Sequence, residues 1–154
     1  MKISEFLSEK AISVDLKSTD KEGVIRELIG NLAKAHGLRN RDEMVQTLMA
    51  RESLGSTGIG LGVGIPHGKC DVAKKLVASF GISKEGIDFD ALDGEPVYIF
   101  FCLVAPDDSA GPHLKALARI SRLLKDKYFR EFLKGLEDEK AIFKAIKEED
   151  AKKP

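Results

Sequence analysis

Two cysteines, Cys70 and Cys102, are all that the 154 residues contain, too few for a disulfide framework. Neither sign of charge is in excess: Lys and Arg total 25, and so do Asp and Glu. That balance argues against a general nucleic-acid or membrane-surface binder, which carries a basic surplus. No apolar run approaches a membrane span, and the longest, 97–105, is strand-sized. The N-terminus lacks the charged-then-apolar layout of a secretory signal, and no internal repeat occurs. What is left is a folded domain with 43% hydrophobic and 32% charged residues. The expectation is a single domain over 1–150, a solvated tail at 151–154 within "KEEDAKKP", reduced thiols and a cytoplasmic location.

Helical and extended patterns interleave along the chain. Ile12, Val14 and Leu16 alternate with polar residues as a short strand does. Ser18-Thr19-Asp20 offers N-caps to a helix with Val24, Ile25, Leu28, Ile29 and Leu32 at helical spacing, and Gly37 stops it. Asn40 with Glu43 resembles a capping box opening a second helix. "LVASFGI" (76–82) and "VYIFFCLVA" (97–105) read as strands, the latter apolar enough to be covered on both faces. Pro112 suits a first helical position, with Leu114, Leu117, Ala118 and Leu124 as the apolar stripe. Helical stretches at 127–134 and 138–148 follow. The class is α/β: a central mixed sheet flanked by helices on both faces.

One segment resists that routine. "GIGLGVGIPHGK", 58–69, places glycine at 58, 60, 62 and 64 with aliphatic residues between. It is neither a Walker A loop, since Val63 and Cys70 stand where Gly and Ser or Thr are needed, nor a GxGxxG motif in any register. Read as one extended strand, its period of two gives a glycine face and an aliphatic face. The glycine face either admits close packing of a helix or leaves the backbone open to a visitor. Glycine alone does not decide; Pro66-His67-Gly68 favours the visitor, with space beyond the imidazole at Gly68.

Four further polar residues bear on that choice. His113 should fall in the first turn of a helix, where unpaired N–H groups and the dipole attract anions and disfavour an imidazolium, or it is an ordinary surface histidine. Arg51 falls at the core-facing edge of a helix's last turn. It either caps the final carbonyls or projects a phosphate-suited fork toward whatever the helix packs on. Ser56 and Thr57 add hydroxyl donors just before Gly58. His36, by contrast, has a sufficient role at a helix end. His67, Cys70, Cys102 and His113 lack the clustered spacing of a metal site, and both cysteines suit a core.

"RESLGSTGIG", "IPHGK", "IDFDALDGEPV" and "PHLKALARISRLL", in that order, resemble the enzyme IIA domain of the bacterial phosphoenolpyruvate-dependent sugar phosphotransferase system. The fructose–mannitol type, with its nitrogen-regulatory relatives, is the match. The resemblance implies a mixed sheet flanked by helices, His67 as the phosphorylated histidine, and Arg51 and His113 as its active-site companions. It implies phosphoryl transfer from phosphohistidine on the carrier HPr to a cysteine of a IIB component, which serves a membrane IIC protein. Ser56, Thr57 or the backbone at Gly58 would assist in holding the phosphate. Neither metal nor cofactor is called for, since donor and acceptor are protein side chains. Gly64 stands where alanine is more usual in the family. The site should be a shallow, apolar-rimmed hollow shared by the residues at 51, 67 and 113. "IDFDALDGEPV" leans toward the fructose type over a regulatory IIA, and no IIB or IIC segment is expected on the chain.

Overall fold

The structure, a computed structural model, describes residues 1–153. After a 3-10 turn at Ile3–Glu5, the order is β1 (Leu7–Ser13), α1 (Lys21–His36), α2 (Arg41–Ser53), β2 (Gly58–Gly60), β3 (Val63–Gly64), β4 (His67–Lys69), β5 (Val77–Ile87), β6 (Val97–Ala105), α3 (Ala110–Leu124), α4 (Lys127–Lys134) and α5 (Glu139–Ala151). The six strands form one mixed sheet in the order β1-β5-β6-β3-β2, with β4 also on β6. β5 and β6 are antiparallel, while β1 runs parallel to β5, and β3 and β4 run parallel to β6.

β6 explains the layering. Ile99, Phe101 and Leu103 point into one core with Phe80, Ile120, Leu133, Ile142 and Ile146. Phe100, Cys102 and Val104 point into the other, with Val24, Leu28, Leu32, Met44 and Leu48. Alternate residues of one strand thus anchor α3, α4 and α5 on one face and α1 and α2 on the other. Each such buried side chain contributes about 1.5–3 kcal/mol. This is the expected α/β class, with helices on both faces.

α1 begins on Asp20, whose side chain accepts from the Gly23 amide, and ends on left-handed Gly37. Other boundaries differ from the sequence reading. The first strand is Leu7–Ser13, earlier than Ile12–Leu16; Leu16 lies past a bend, and its amide donates to Ile82 at 2.8 Å. Asn40 is left-handed and makes no side-chain cap, so no capping box forms. α3 starts two residues before Pro112. Its buried stripe is His113, Ala116, Ile120, Leu123 and Leu124, which leaves Leu114 69% exposed and Ala118 exposed. The stripe that includes Leu114 is therefore displaced by one residue.

The C-terminal segment is less solvated than "KEEDAKKP" suggests. α5 continues to Ala151, and buried Asp150 accepts from the Ile3 amide at 2.8 Å and pairs with Arg119. Pro154 lies outside the described residues. No helix among the described residues is long and apolar enough to cross a membrane.

The glycine segment folds back on itself. β2 and β3 are antiparallel, joined by a turn in which Leu61 has φ 62° and Gly62 φ 75°. The single-strand reading fails there, because a tight turn inverts the alternation: Ile59 and Leu61 are exposed, Val63 and Ile65 buried. Gly58 and Gly64 serve packing rather than open access, while Gly60 and Gly62, at φ 93° and 75°, serve the turn. A Cβ on Gly58 would lie 2.9 Å from the Ala91 backbone, and one on Gly64 3.2 Å from the Phe100 ring.

Candidate functional site

Gly68 is where the site begins. A side chain there would come within 3.0 Å of Thr47 and 3.1 Å of Leu48. Bare backbone lets α2 lie close on β4, which contradicts the expected open space beyond the imidazole. That approach brings the last turn of α2, with Arg51, beside His67 at the head of β4. β4 is held by β6 through the register His67↔Leu103. α3 leaves the C-terminal end of β6 and carries His113 into the same place, the usual end for ligands in an open α/β sheet.

Arg51, His67 and His113 line one hollow of about 630 Å³, together with Thr47, Lys69, Asp107 and an apolar set including Leu54, Leu114 and Leu117. The His67 and His113 rings stand edge to face, centroids 5.4 Å apart and planes at 75°. Nδ1 of His67 lies 2.6 Å from the Ile65 carbonyl oxygen. A carbonyl only accepts, so Nδ1 carries the hydrogen, and in the neutral ring Nε2 carries the lone pair. Burial, with the Arg51 charge in support, holds the His67 pKa below its ordinary value, against the opposing pull of the Ile65 bond and Glu52. The ring is thus neutral at pH 7.

His113 is buried, and its Nε2 meets no hydrogen-bond partner among the described residues. Burial, then the charges of His67 and Lys69, bring its pKa down to about 4. The expected disfavouring of the imidazolium holds in direction, with burial rather than the helix dipole as its main cause. Arg51 donates to the Gly55 carbonyl at 2.8 Å, so it both ties the chain beyond its helix and borders the hollow.

Ser56, Thr57 and Gly58 are not among the residues lining the hollow. The Ser56 hydroxyl donates to the Phe89 carbonyl and accepts from the Gly58 amide. Thr57 is buried and bonds to Glu52. Their donors are already engaged. His36 sits at the end of α1 with Nε2 3.3 Å from the Ala78 carbonyl, a contact across to β5. Cys70 and Cys102 are buried and free, and no cluster of His, Cys, Asp and Glu among the described residues could hold a metal ion.

Three contributors escape the sequence reading. Lys69 is two residues after His67 on a strand and so shares its face, a signal available in "HGK". Leu54 and Leu114, 83% and 69% exposed, rim the hollow; locating His113 on the buried stripe of α3 would have turned Leu114 outward.

Fold and site together define a class: a single α/β domain presenting a neutral, oriented imidazole beside a guanidinium in an open, apolar-rimmed hollow. The family model described as "Phosphoenolpyruvate-dependent sugar phosphotransferase system, EIIA 2" matches residues 5–149, and the chain belongs to that family, whose members are phosphotransferase components. It is 39% identical over 150 residues to the PTS system fructose-specific EIIABC component of Bacillus subtilis, covering 97% of this chain and 24% of that protein. It is 38% identical over 146 residues to the nitrogen regulatory protein of Bradyrhizobium diazoefficiens, covering 95% of each. The crystal structure of nitrogen regulatory protein IIA-Ntr from Neisseria meningitidis superposes with a TM-score of 0.87 at 30% identity, over 94% of this chain and 98% of that one.

Proposed function

We propose that this chain is a histidine phosphocarrier of the cytoplasm. It takes a phosphoryl group from phosphohistidine on HPr and hands it to a IIB component for sugar uptake. The observation that carries this reading is the 2.6 Å bond from Nδ1 of His67 to the Ile65 carbonyl, which leaves Nε2 unprotonated in a hollow that Arg51 and Lys69 also line. In the step, the P–N bond of the donor breaks as a P–Nε2 bond forms. Nε2 brings its own lone pair, so no proton need leave, and the donor imidazole recovers the electrons of the broken bond. Passing the group on reverses the roles, with the IIB cysteine thiolate as acceptor.

Such transfer requires in-line positioning and stabilisation of charge on the equatorial oxygens. Arg51 supplies a planar fork for those oxygens, and Lys69 a second positive charge. His113 gives a neutral N–H: the phosphoryl oxygen provides the acceptor that its buried Nε2 lacks. The leucines at 54 and 114 give a protein partner apolar surface around the reacting atom, which suits exchange between two macromolecules.

A second reading is favoured by the 95% coverage of a nitrogen regulatory protein. Here the same His67 chemistry would serve as a switch, with phosphorylation changing which proteins dock on the apolar rim. Incubation with enzyme I, HPr and phosphoenolpyruvate tests the shared chemistry. Wild type should acquire acid-labile, base-stable phosphate and His67→Ala none, while equal labelling of both would refute the assignment. Discharge of that phosphate onto a purified fructose-type IIB separates transport from regulation.

A further inference from the structure

Glu52, buried next to Arg51, enters the site above only through its pull on the His67 pKa, yet its side chain meets three donors. Its Oε1 accepts from the Thr57 amide at 2.9 Å and from the Thr57 hydroxyl, and its Oε2 from the Lys21 ammonium at 3.1 Å. The carboxylate is 2% exposed and Lys21 19%. Lys21 also pairs with Asp90 at 3.2 Å and lies 5.0 Å over the Phe89 ring, so it is fixed from three sides. A buried charge is kept only where its partners are satisfied, and this one is.

What the carboxylate holds is the turn that serves both reacting groups. The Thr57 amide is tied to Glu52, and the Thr57 carbonyl takes the Ile65 amide at 3.0 Å. The Ile65 carbonyl in turn takes Nδ1–H of His67. In the other direction, the Gly55 amide donates to the Glu52 carbonyl at 3.1 Å, and the Gly55 carbonyl holds the Arg51 guanidinium at 2.8 Å. Gly55, at φ 150°, is a residue whose own backbone would not keep that orientation unaided. Gly55 is thus tied to the Glu52 main chain and Thr57 to its carboxylate, so one residue braces both ends of the segment that supports the imidazole and anchors the guanidinium.

We infer that Glu52 is a positioning residue for phosphoryl transfer: through Thr57 and the 54–57 turn it holds the Arg51 guanidinium in place beside His67. The inference rests on the phosphocarrier reading for its kinetic consequence but not for its geometry. A guanidinium displaced by an ångström or so loses rate rather than partner affinity, on the order of 10- to 100-fold.

Two measurements test this. In unphosphorylated protein, ¹⁵N relaxation of the Arg51 Nε–H should report an ordered side chain in wild type and a mobile one in Glu52→Gln and Thr57→Val, with order restored in Thr57→Ser. In single-turnover labelling from phospho-HPr, Glu52→Gln should cost about 10- to 100-fold in the Arg51 protein but almost nothing further in an Arg51→Met background, since the two act as one unit. Thr57→Val, which keeps the amide bond and loses only the hydroxyl, covers the case in which Glu52→Gln does not fold. An equally ordered Arg51 in the variants, or penalties that add independently, overturns the inference. If wild type takes no phosphate at all, the phosphocarrier reading falls and the relaxation measurement alone judges Glu52.

Discussion

Acid should unfold this protein partly through His113, and the structure sets the size of the effect. The residue is 7% exposed, and its pKa is brought from 6.5 to about 4 by burial and by the charges of His67 and Lys69. In the unfolded chain the ring keeps its ordinary value of about 6.5. Between the two values the unfolded state binds a proton that the native state refuses. The native state therefore keeps its full stability above pH 6.5 and loses it as the pH falls toward 4. At about 1.4 kcal/mol per pH unit the loss approaches 3 kcal/mol. One edge of the ring borders the hollow, and solvent screening there lowers the expectation to about 2–3 kcal/mol. His113→Gln removes this group, whereas His36 and His67, both also held below their ordinary range mainly by burial, titrate in both proteins and largely cancel. Urea unfolding from neutral pH down to pH 4 should show wild type losing about 2–3 kcal/mol relative to the variant. Parallel stability curves would refute the reasoning, since they would mean that His113 accepts its proton as readily folded as unfolded.

The remaining expectations concern single residues. Arg51→Met should slow labelling from phospho-HPr by about 100- to 1000-fold, the usual cost of one electrostatic donor, with the melting temperature nearly unchanged. Gly58→Ala should destabilise by about 1–3 kcal/mol, as overpacking against a backbone does, because the new methyl would meet Ala91 at 2.9 Å. Gly64→Ala should fall within about 1 kcal/mol of wild type: its neighbours at 3.2–3.3 Å are side chains that can shift, and the unfolded chain loses freedom. Asp150→Ala should cost about 3 kcal/mol in urea unfolding by leaving Arg119 and the Ile3 amide without their shared acceptor.

The parts of the fold legible in the sequence are those where a local rule suffices. Asp20 and Gly37 bound α1 because a cap and a left-handed stop are local chemistry. β6 is legible because burial on both faces leaves it apolar almost throughout. The glycine segment is not, since a period of two does not show where a chain turns; the turn at Leu61 and Gly62 depends on β3 finding β6. The buried stripe of α3 is hard to read for a related reason. Leucine at 114 looks like core, yet it rims the hollow, 69% exposed, while a buried histidine takes the inward position. Residue type and motif single out His67, Arg51 and His113, which line one hollow. Glu52 carries no such signal, because its bonds run to a turn five residues away and to a lysine on another helix.

The most direct test of the account is where the phosphate sits. Long-range ¹H–¹⁵N correlation of the imidazole in the phosphorylated protein should place phosphorus on Nε2 of residue 67, with Nδ1 still protonated toward the Ile65 carbonyl. Phosphorus on Nδ1, or on any residue outside the hollow, would contradict it.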